Sequence, residues 1–266
     1  MTTNFITLLT DFGTSSYYVA SMKGIILKIN PDVIIVDISH SIESFNLISA
    51  AYVLNQSYKN FPKGTIHVIV VDPGVGTKRR PILIQTEDYY FIGPDNGVFT
   101  FILNENMDYK ILELTNRKYM NKVISSTFHG RDIFAPVASH LSLIKKIEKF
   151  GPIIENPIKI SLNLDDINRE FQIMHIDKFG NLVTSLKGDV FKKNFKLDDE
   201  INIQITSVDK KLNYNIPFKE YYGEVPEKSL LLLIGSSEFL EIASNKGNAK
   251  KQMNLKGNEL IKIVKS

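Results

Sequence analysis

The N-terminal half of the chain alternates between strand-like and helix-like patterns, and this order restricts the possible folds more than any other feature. Short apolar runs lie at residues 5–9, 33–38 and 65–71. The segments between them, residues 18–29 and 48–58, carry apolar side chains at the three- and four-residue spacing of a helix. Strands that alternate with helices form a mostly parallel sheet covered on both faces. The pattern therefore predicts an α/β fold with a Rossmann-like, mostly parallel sheet.

The pattern changes after residue 151. Residues 152–168 are rich in proline, asparagine and aspartate and show little periodicity. Beyond them, short strand patterns recur at roughly ten-residue spacing, which is typical of a small β-barrel or sandwich. We therefore predict an N-terminal α/β domain at residues 1–160, a linker at residues 161–169 and a smaller C-terminal β-barrel domain at residues 170–266.

The composition excludes several classes of function. The 266 residues include no cysteine, which excludes disulfides, thiolate metal sites and a cysteine nucleophile, and the five histidines form no metal-binding motif. We therefore expect no metal and no cofactor. The formal net charge of +3 is too small to favour nucleic acid as a partner. Because no apolar run approaches the ~20 residues of a membrane helix and no signal-peptide pattern is present, we expect no membrane segment and a cytoplasmic location.

Two aspartates directly follow apolar runs. Asp11 lies in the sequence T-D-F-G, and Asp72 lies in V-D-P-G-V-G. In a parallel sheet, ligands bind at the carboxyl ends of the strands, where both loops would lie. A carboxylate at such a position can accept hydrogen bonds from the hydroxyl groups of a ribose. An aspartate in an ordinary turn or helix cap gives the same pattern, so each motif alone leaves both interpretations open.

Three further motifs carry polar groups suited to a nucleoside or an amino acid. His129 lies in F-H-G-R-D, directly before residues 131–150, which are predicted to form one long helix; it is either a capped surface residue or a group that titrates near neutral pH. The sequence D-K-F-G-N at residues 177–181 combines a carboxylate, an aromatic ring and an amide, as an adenine site would, but it also fits a hairpin turn. The G-S-S sequence at residues 235–237 suits a carboxylate ligand and also fits an ordinary turn.

The five motifs together are more specific than any one of them. T-D-F-G, V-D-P-G-V-G, F-H-G-R-D, D-x-F-G-N and G-S-S…L-E-I-A occur in one order, and with this order the chain resembles the S-adenosyl-L-methionine (SAM) hydroxide adenosyltransferases over about residues 5–245. These adenosine-forming SAM hydrolases are relatives of the fluorinase and chlorinase. The resemblance implies a homotrimer in which SAM binds between the N-terminal domain of one subunit and the C-terminal domain of its neighbour. It also implies that water attacks the ribose C5′ atom of SAM and releases adenosine and L-methionine.

The resemblance also implies roles for particular residues. Around the attacking water it implies a catalytic set of Asp72, Arg79 and His129. For the substrate it implies these contacts: the ribose hydroxyls with Asp11, the sugar and sulfonium with Phe45 and Phe128, the adenine faces with Phe179 and Tyr221 (or Tyr222), the adenine edge with Asn181, the methionine ammonium with Asp177, and the methionine carboxylate with Ser236 and Ser237. Relatives often have an acid where this chain has Ser15 and Ser16, so that loop lacks a second contact to the ammonium.

Two other functions are compatible with the same scaffold. A non-catalytic protein that binds adenosine or SAM would need only the adenosine-binding residues. A halide-dependent SAM transferase would share the fold, but the halogenating relatives carry a long insertion where this chain has only residues 80–89, and a tyrosine and a serine where it has Asp72 and Gly130. These differences favour water over halide. We therefore predict a hydrolase, and the sequence leaves open whether Asp72 or His129 accepts the proton of the water.

Overall fold

A mostly parallel sheet forms the centre of the N-terminal unit. The computed structural model describes residues 4–207 and 210–264, and it divides into two compact units between Ile160 and Ser161. The strands of the first unit are β1 (Phe5–Thr10), β2 (Ile34–Ser39), β3 (Ile66–Val70), β4 (Pro81–Thr86), β5 (Tyr90–Pro94) and β6 (Tyr109–Glu113). Among the described residues they form one six-stranded sheet in the order β2-β1-β3-β5-β4-β6, in which β4 pairs antiparallel with β5 and β6. The predicted Rossmann-like α/β fold is confirmed.

Helices cover both faces of this sheet. They are α1 (Tyr18–Ile29), α2 (Leu47–Ser57), α3 (Thr100–Glu105) and α4 (Ala135–Ile144). Successive side chains of a strand point to opposite faces, so Val68 and Val70 of β3 pack in the core with Met22 and Leu141 of α1 and α4, whereas Ile69 packs in the core that contains α2 and α3. β1 and β3 are buried on both faces, which explains why they are nearly continuous apolar runs in the sequence.

The prediction of a single long helix at residues 131–150 is wrong in its length. The segment begins with a π-helical turn at Gly130–Phe134, continues as α4 and then ends at Ile144. Lys145 has the left-handed backbone conformation (φ 52°) that commonly terminates helices, and a separate 3₁₀ turn follows at Ile147–Lys149. The apolar spacing continues through this break, which is why the sequence pattern did not reveal it.

The C-terminal unit is a nearly closed antiparallel barrel. Its strands are β7 (Phe171–Ile176), β8 (Leu182–Lys187), β9 (Glu200–Thr206), β10 (Lys211–Pro217), β11 (Leu230–Ile234), β12 (Phe239–Ser244) and β13 (Leu260–Ile263), with short helices α5 (Gly188–Lys192) and α6 (Ala249–Gln252). Across residues 161–207 and 210–264, seven strands follow the order β10-β9-β13-β7-β8-β12-β11. A bridge between Phe218 and Leu232 joins the two edges just beyond β10, which confirms the predicted barrel.

The segment that precedes the barrel is hydrogen-bonded to it. Ser185 Oγ donates to the carbonyl of Asn163 (2.7 Å), and the N–H of Lys187 donates to the carbonyl of Leu164 (2.9 Å). Residues 161–169, predicted as a linker, therefore include backbone that is fixed against β8. The limits proposed for the domains stay a prediction.

Candidate active site

A cavity of about 440 Å³ opens in the N-terminal unit, where β1 and β3 end. This volume lies in the range of small-molecule sites, and its position matches the rule that ligands bind at the carboxyl ends of parallel strands. The cavity is lined by the predicted site residues Asp11, Phe45, Asp72, Phe128 and His129, together with Phe12, Tyr17, Tyr18, Ser44, Val70, Val75, Ser125, Thr127, Gly130 and Arg131.

Asp72, Arg79 and His129 are joined by hydrogen bonds at the wall of this cavity. Arg79 Nε donates to both carboxylate oxygens of Asp72 (3.0 and 2.9 Å), and Arg79 Nη2 donates to Asp72 Oδ2 (2.5 Å). The same Nη2 lies 2.9 Å from His129 Nδ1. The side chains of Arg79 and Asp72 are 8% and 4% exposed, so this is a buried ion pair whose geometry is restricted.

The Arg79 guanidinium lies behind the residues that line the cavity. It lies 5.2 Å from the centre of the Phe134 ring, in a cation–π contact, and it does not itself line the cavity. Its Nη1 atom is buried and has no hydrogen-bond partner among the described residues. Arg79 thus orients two cavity-lining groups, Asp72 and His129, and keeps one donor available.

His129 is held as a neutral imidazole of one tautomer. Burial, together with the charge of Arg79, lowers the pKa of His129, and the charges of Asp72 and Asp132 oppose this shift without cancelling it. Because an arginine only donates hydrogen bonds, Nδ1 of His129 accepts from Arg79 and the ring proton lies on Nε2. At neutral pH the imidazole therefore presents an Nε2–H donor.

Gly76 allows the Asp72 loop to approach the His129 loop. Its φ of +78° is one that side-chain-bearing residues rarely adopt, and a Cβ atom added there would overlap the carbonyl oxygen of Ser126. Ser126 lies between the cavity-lining residues Ser125 and Thr127. The second glycine of V-D-P-G-V-G is therefore the point at which two motifs distant in sequence come into contact.

Asp132 fixes the backbone of the same loop. Pro136, in the first turn of α4, has no N–H to donate, and the carbonyl of Asp132 accepts the N–H of Asn121 instead (2.9 Å). The buried Asp132 carboxylate accepts the N–H of Ser125 and the Nδ2 of Asn121 (both 2.8 Å). Burial opposes the charge of Asp132, but bonds from Arg131, Ser125 and Asn121 outweigh burial and lower its pKa.

Asp11 and Phe45 form another part of the cavity wall. Asp11 Oδ2 accepts the N–H of Phe45 (2.9 Å), which leaves Oδ1 without a partner among the described residues. Phe45 has a left-handed φ of 67°, and its side chain is 66% exposed. A bulky residue rarely adopts this conformation, and such strain clusters at functional sites. The hydrogen bond that the Phe45 N–H donates to Asp11 therefore holds an exposed aromatic ring at the cavity.

Two tyrosines of the cavity wall were not identified from the sequence. Tyr17 and Tyr18 pack with Phe12 and Phe128, and the ring centres of Tyr18 and Phe128 lie 5.1 Å apart in an edge-on arrangement. Both tyrosines follow T-D-F-G within a few residues, at the beginning of α1. Their position beside a strand-end loop could have indicated that they line the cavity. The helical spacing of residues 18–29 instead suggested that Tyr18 belongs to an ordinary helix.

The glycine contact gives a stability prediction. Gly76→Ala is expected to lower the free energy of unfolding by about 1–3 kcal/mol more than Gly64→Ala does, because both residues have positive φ but only Gly76 faces another backbone segment. Chemical denaturation of the two variants measures the difference. Equal losses would contradict the contact with Ser126.

In the C-terminal unit, Asp177 organises the turn between β7 and β8. Its Oδ1 accepts the N–H groups of Phe179 and Asn181, and its Oδ2 accepts Asn181 Nδ2, each at 2.9 Å. Asn181 is buried, and its Oδ1 has no partner among the described residues. Phe179 is 66% exposed. The turn thus presents an aromatic ring beside a fixed amide carbonyl.

The remaining predicted residues lie in two other loops of the barrel. Tyr221 is 59% exposed, whereas burial and the charges of Glu241 and Asp177 raise the pKa of Tyr222. Tyr222 therefore lies close to the two carboxylates. Ser237 Oγ is buried without a hydrogen-bond partner among the described residues, and Ser236 is exposed.

Among residues 4–207 and 210–264, no three histidine or acidic side chains are grouped as metal ligands. His67 Nδ1 is bonded to Thr7 (2.7 Å), and burial lowers its pKa to about 3, so it is a neutral core residue. None of the helices in the described part of the chain is long and apolar enough to cross a membrane.

Comparisons with known proteins agree with this geometry. Two family models match the chain, the SAM hydroxide adenosyltransferase N-terminal domain at residues 6–151 and the C-terminal domain at residues 171–262. The (R)-S-adenosyl-L-methionine hydrolase of Methanocaldococcus jannaschii is 37% identical, over 98% of this chain and 96% of that protein. A solved structure of an uncharacterized conserved protein from Thermotoga maritima has a TM-score of 0.89 at 36% identity, covering 97% of this chain and 100% of that one. The fluorinase of Actinopolyspora mzabensis is more distant, at 22% identity over 98% of this chain and 97% of that protein.

Proposed function

The chain belongs to the SAM hydroxide adenosyltransferase family, and we propose that it hydrolyses SAM to adenosine and L-methionine. The observation that carries the proposal is the buried pair of Asp72 and Arg79, hydrogen-bonded to the half-buried His129 beside a cavity of nucleoside size. A protein that only binds adenosine has no need of a buried ion pair that orients an imidazole. Such an arrangement is suited to the activation of a water molecule.

The proposed reaction is an in-line displacement at the ribose C5′ atom. The oxygen of water forms a bond to C5′ while the bond from C5′ to the sulfonium sulfur breaks, and its electron pair leaves with the sulfur of methionine. The proton of the water passes to the protein and then to solvent. In the transition state the developing negative charge on the oxygen and the positive charge of the sulfonium are partly neutralised. The reacting groups therefore lose solvation as the reaction proceeds, and this loss is smaller in a partly dry cavity, with walls such as Phe12 and Phe128, than in bulk water.

We assign the proton acceptor to Asp72. Nδ1 of His129 is occupied by Arg79, so the ring donates from Nε2 and orients the water oxygen rather than taking its proton. The carboxylate of Asp72 lines the cavity and is held in one orientation by two donors of Arg79. General base catalysis of this kind contributes about 10²–10⁴-fold in rate, and alignment of water with C5′ adds to it.

The substrate contacts follow from the groups that remain free. Asp11 Oδ1 would accept from the ribose hydroxyls, with Phe45 and Phe128 against the sugar and the sulfonium. Asn181 Oδ1 would accept from the adenine amino group between the rings of Phe179 and Tyr221. We prefer Tyr221 to Tyr222 because Tyr222 lies close to two carboxylates. Ser236 and Ser237 would bind the methionine carboxylate, and Asp177 would contribute negative charge near the ammonium.

We further propose that the protein is a homotrimer in which each site combines the N-terminal unit of one subunit with the C-terminal unit of a neighbour. The exposed fractions of Phe45, Phe179 and Tyr221 are 66%, 66% and 59%, which is high for aromatic rings and supports their burial by substrate and a second subunit. Analytical ultracentrifugation tests the trimer. A cytoplasmic location also stays a proposal from the sequence.

Oxygen-18 water tests the function directly. We expect purified protein incubated with SAM in this solvent to form adenosine that carries the label at its 5′ hydroxyl, and unlabelled L-methionine. A binding protein would form neither product, and a halide-dependent transferase would form 5′-halogenated adenosine once chloride or fluoride is added. Absence of adenosine across the neutral pH range would contradict the proposal.

A further inference from the structure

Glu241 is a buried residue whose carboxylate has no hydrogen-bond or salt-bridge partner among the described residues. It lies on β12 in the C-terminal unit with 8% of its surface exposed. No lysine, arginine or hydrogen-bond donor among the described residues pairs with its side chain, whereas nearly all buried acids in proteins are paired. The sequence F-L-E-I-A places this acid between apolar residues of β12, so burying its charge has a cost that a ligand could offset.

The carboxyl group lies directly against the loop predicted to bind an amino-acid carboxylate. A Cβ atom added at Gly235 would overlap Oε1 of Glu241, so the acid contacts the backbone at the start of the G-S-S loop. In that loop the buried Ser237 Oγ also has no partner among the described residues. The Glu241 carboxylate on β12 is thus an acceptor without a partner among the described residues, and the Ser237 hydroxyl in the adjoining G-S-S loop is a donor without one.

This combination fits the head group of an α-amino acid. The ammonium and the carboxylate of such a ligand are attached to the same carbon atom, Cα, so the site must offer an acceptor and a donor close together. Asp177 lies near enough for its charge to act on Glu241, and no cation of the described residues offsets the burial of Glu241. A ligand ammonium would supply the missing positive charge and hydrogen-bond donors.

We propose that Glu241 binds the ammonium of the methionine part of SAM, as a contact additional to Asp177. The inference rests on the proposed function. Both oxygens of Asp177 already accept hydrogen bonds within their own turn, whereas those of Glu241 accept none from the described residues. The loop after T-D-F-G has Ser15 and Ser16 where an acid would be a second contact to the ammonium. Glu241, on the barrel, would provide this second contact instead.

The test compares two unreactive ligands that differ only in the ammonium. One is S-adenosyl-L-homocysteine, and the other is the same thioether with hydrogen in place of the α-amino group. By calorimetry, Glu241→Gln is expected to weaken binding of the first by about 10- to 100-fold and to leave binding of the second unchanged. Glu200→Gln, the same change at an exposed position on β9 of the barrel, is the matched control and should alter neither.

Equal weakening of both ligands, or of neither, would overturn the proposal, and so would failure of the wild-type protein to distinguish them. The function is tested separately, since wild-type protein that binds both ligands but forms no adenosine would refute the hydrolase and leave this comparison valid. In that case Glu241 would be an ammonium-binding residue of a protein that binds SAM without hydrolysing it.

A measurement on the unmodified protein covers the case in which Glu241→Gln does not fold. Burial, followed by the charge of Asp177, raises the pKa of Glu241 to about 7, and Tyr222 is the other titratable group that faces it. An ammonium bound there favours the ionised acid and lowers this pKa, so S-adenosyl-L-homocysteine should release a proton near pH 7 and the deaminated thioether should not. Calorimetry in buffers of different ionisation enthalpy measures this proton, and its absence would count against Glu241.

Discussion

Replacement of Asp72 by asparagine is expected to lower the turnover of SAM by about 10²- to 10⁴-fold, with little change in the affinity for S-adenosyl-L-homocysteine. Asparagine keeps the shape of the side chain but does not accept a proton. Adenosine formation under saturating SAM measures the turnover, and calorimetry measures the affinity. Wild-type turnover in this variant would show that Asp72 is not the acceptor.

The stability of the variant must be measured alongside its activity. Arg79 is buried, and loss of the Asp72 charge leaves it unpaired, a change that costs about 3–5 kcal/mol in comparable buried pairs. Asp95→Asn is a matched control, because Asp95 is 2% exposed, pairs with Arg80 at 2.5 Å and does not line the cavity. We expect Asp95→Asn to lose stability but to keep turnover per folded molecule. Equal losses of turnover in both variants would indicate destabilisation rather than lost chemistry.

Elements with strong apolar periodicity were predictable from the sequence. The limits of α1 (Tyr18–Ile29) agree with the helical pattern, and those of β1 (Phe5–Thr10) and β3 (Ile66–Val70) agree to within one residue with the apolar runs at residues 5–9 and 65–71. The patterns of β6 and β10 did not reveal strands, because both lie at sheet edges and exposed polar residues interrupt the apolar signal: Lys110 in β6, and Lys211, Asn213 and Asn215 in β10. β2 is also an edge strand without a buried residue, but its side chains are apolar except at Asp37 and Ser39, so its pattern was recognisable.

The candidate site shows a similar division. The strand-end positions of Asp11 and Asp72 followed from the order of strands and helices, since a parallel sheet gathers those loops at one edge. The contact of Gly76 with Ser126 joins two loops far apart in the sequence, and no local pattern encodes it. Glu241 was missed for the opposite reason, because an acid in a strand is ordinarily expected to face solvent and its burial depends on packing of the whole barrel.

Replacement of Arg79 by methionine is expected to lower turnover by about 10²-fold or more, since Asp72 and His129 lose the group that aligns them. Methionine fills much of the space against Phe134 but carries no charge and no donors. Arg79→Lys keeps the charge and loses the planar fork, so its turnover should also fall. The two variants therefore separate charge from geometry.

The pH dependence of kcat/KM distinguishes this positioning role from a general loss of structure. Burial and the Arg79 charge hold the pKa of His129 below its ordinary value of 6.5, so activity of the wild-type protein should persist below that pH and decline only as His129 gains a proton and loses its bond from Arg79. Without the arginine charge the pKa rises, and the acidic limb of the Arg79→Met profile should move to higher pH. The limb of Arg79→Lys should stay closer to that of the wild type, because the positive charge remains. Arg80→Met is the control: it breaks the neighbouring ion pair with Asp95 and should leave the acidic limb in place. A pH profile of Arg79→Met that coincides with that of the wild type would show that Arg79 does not act on His129.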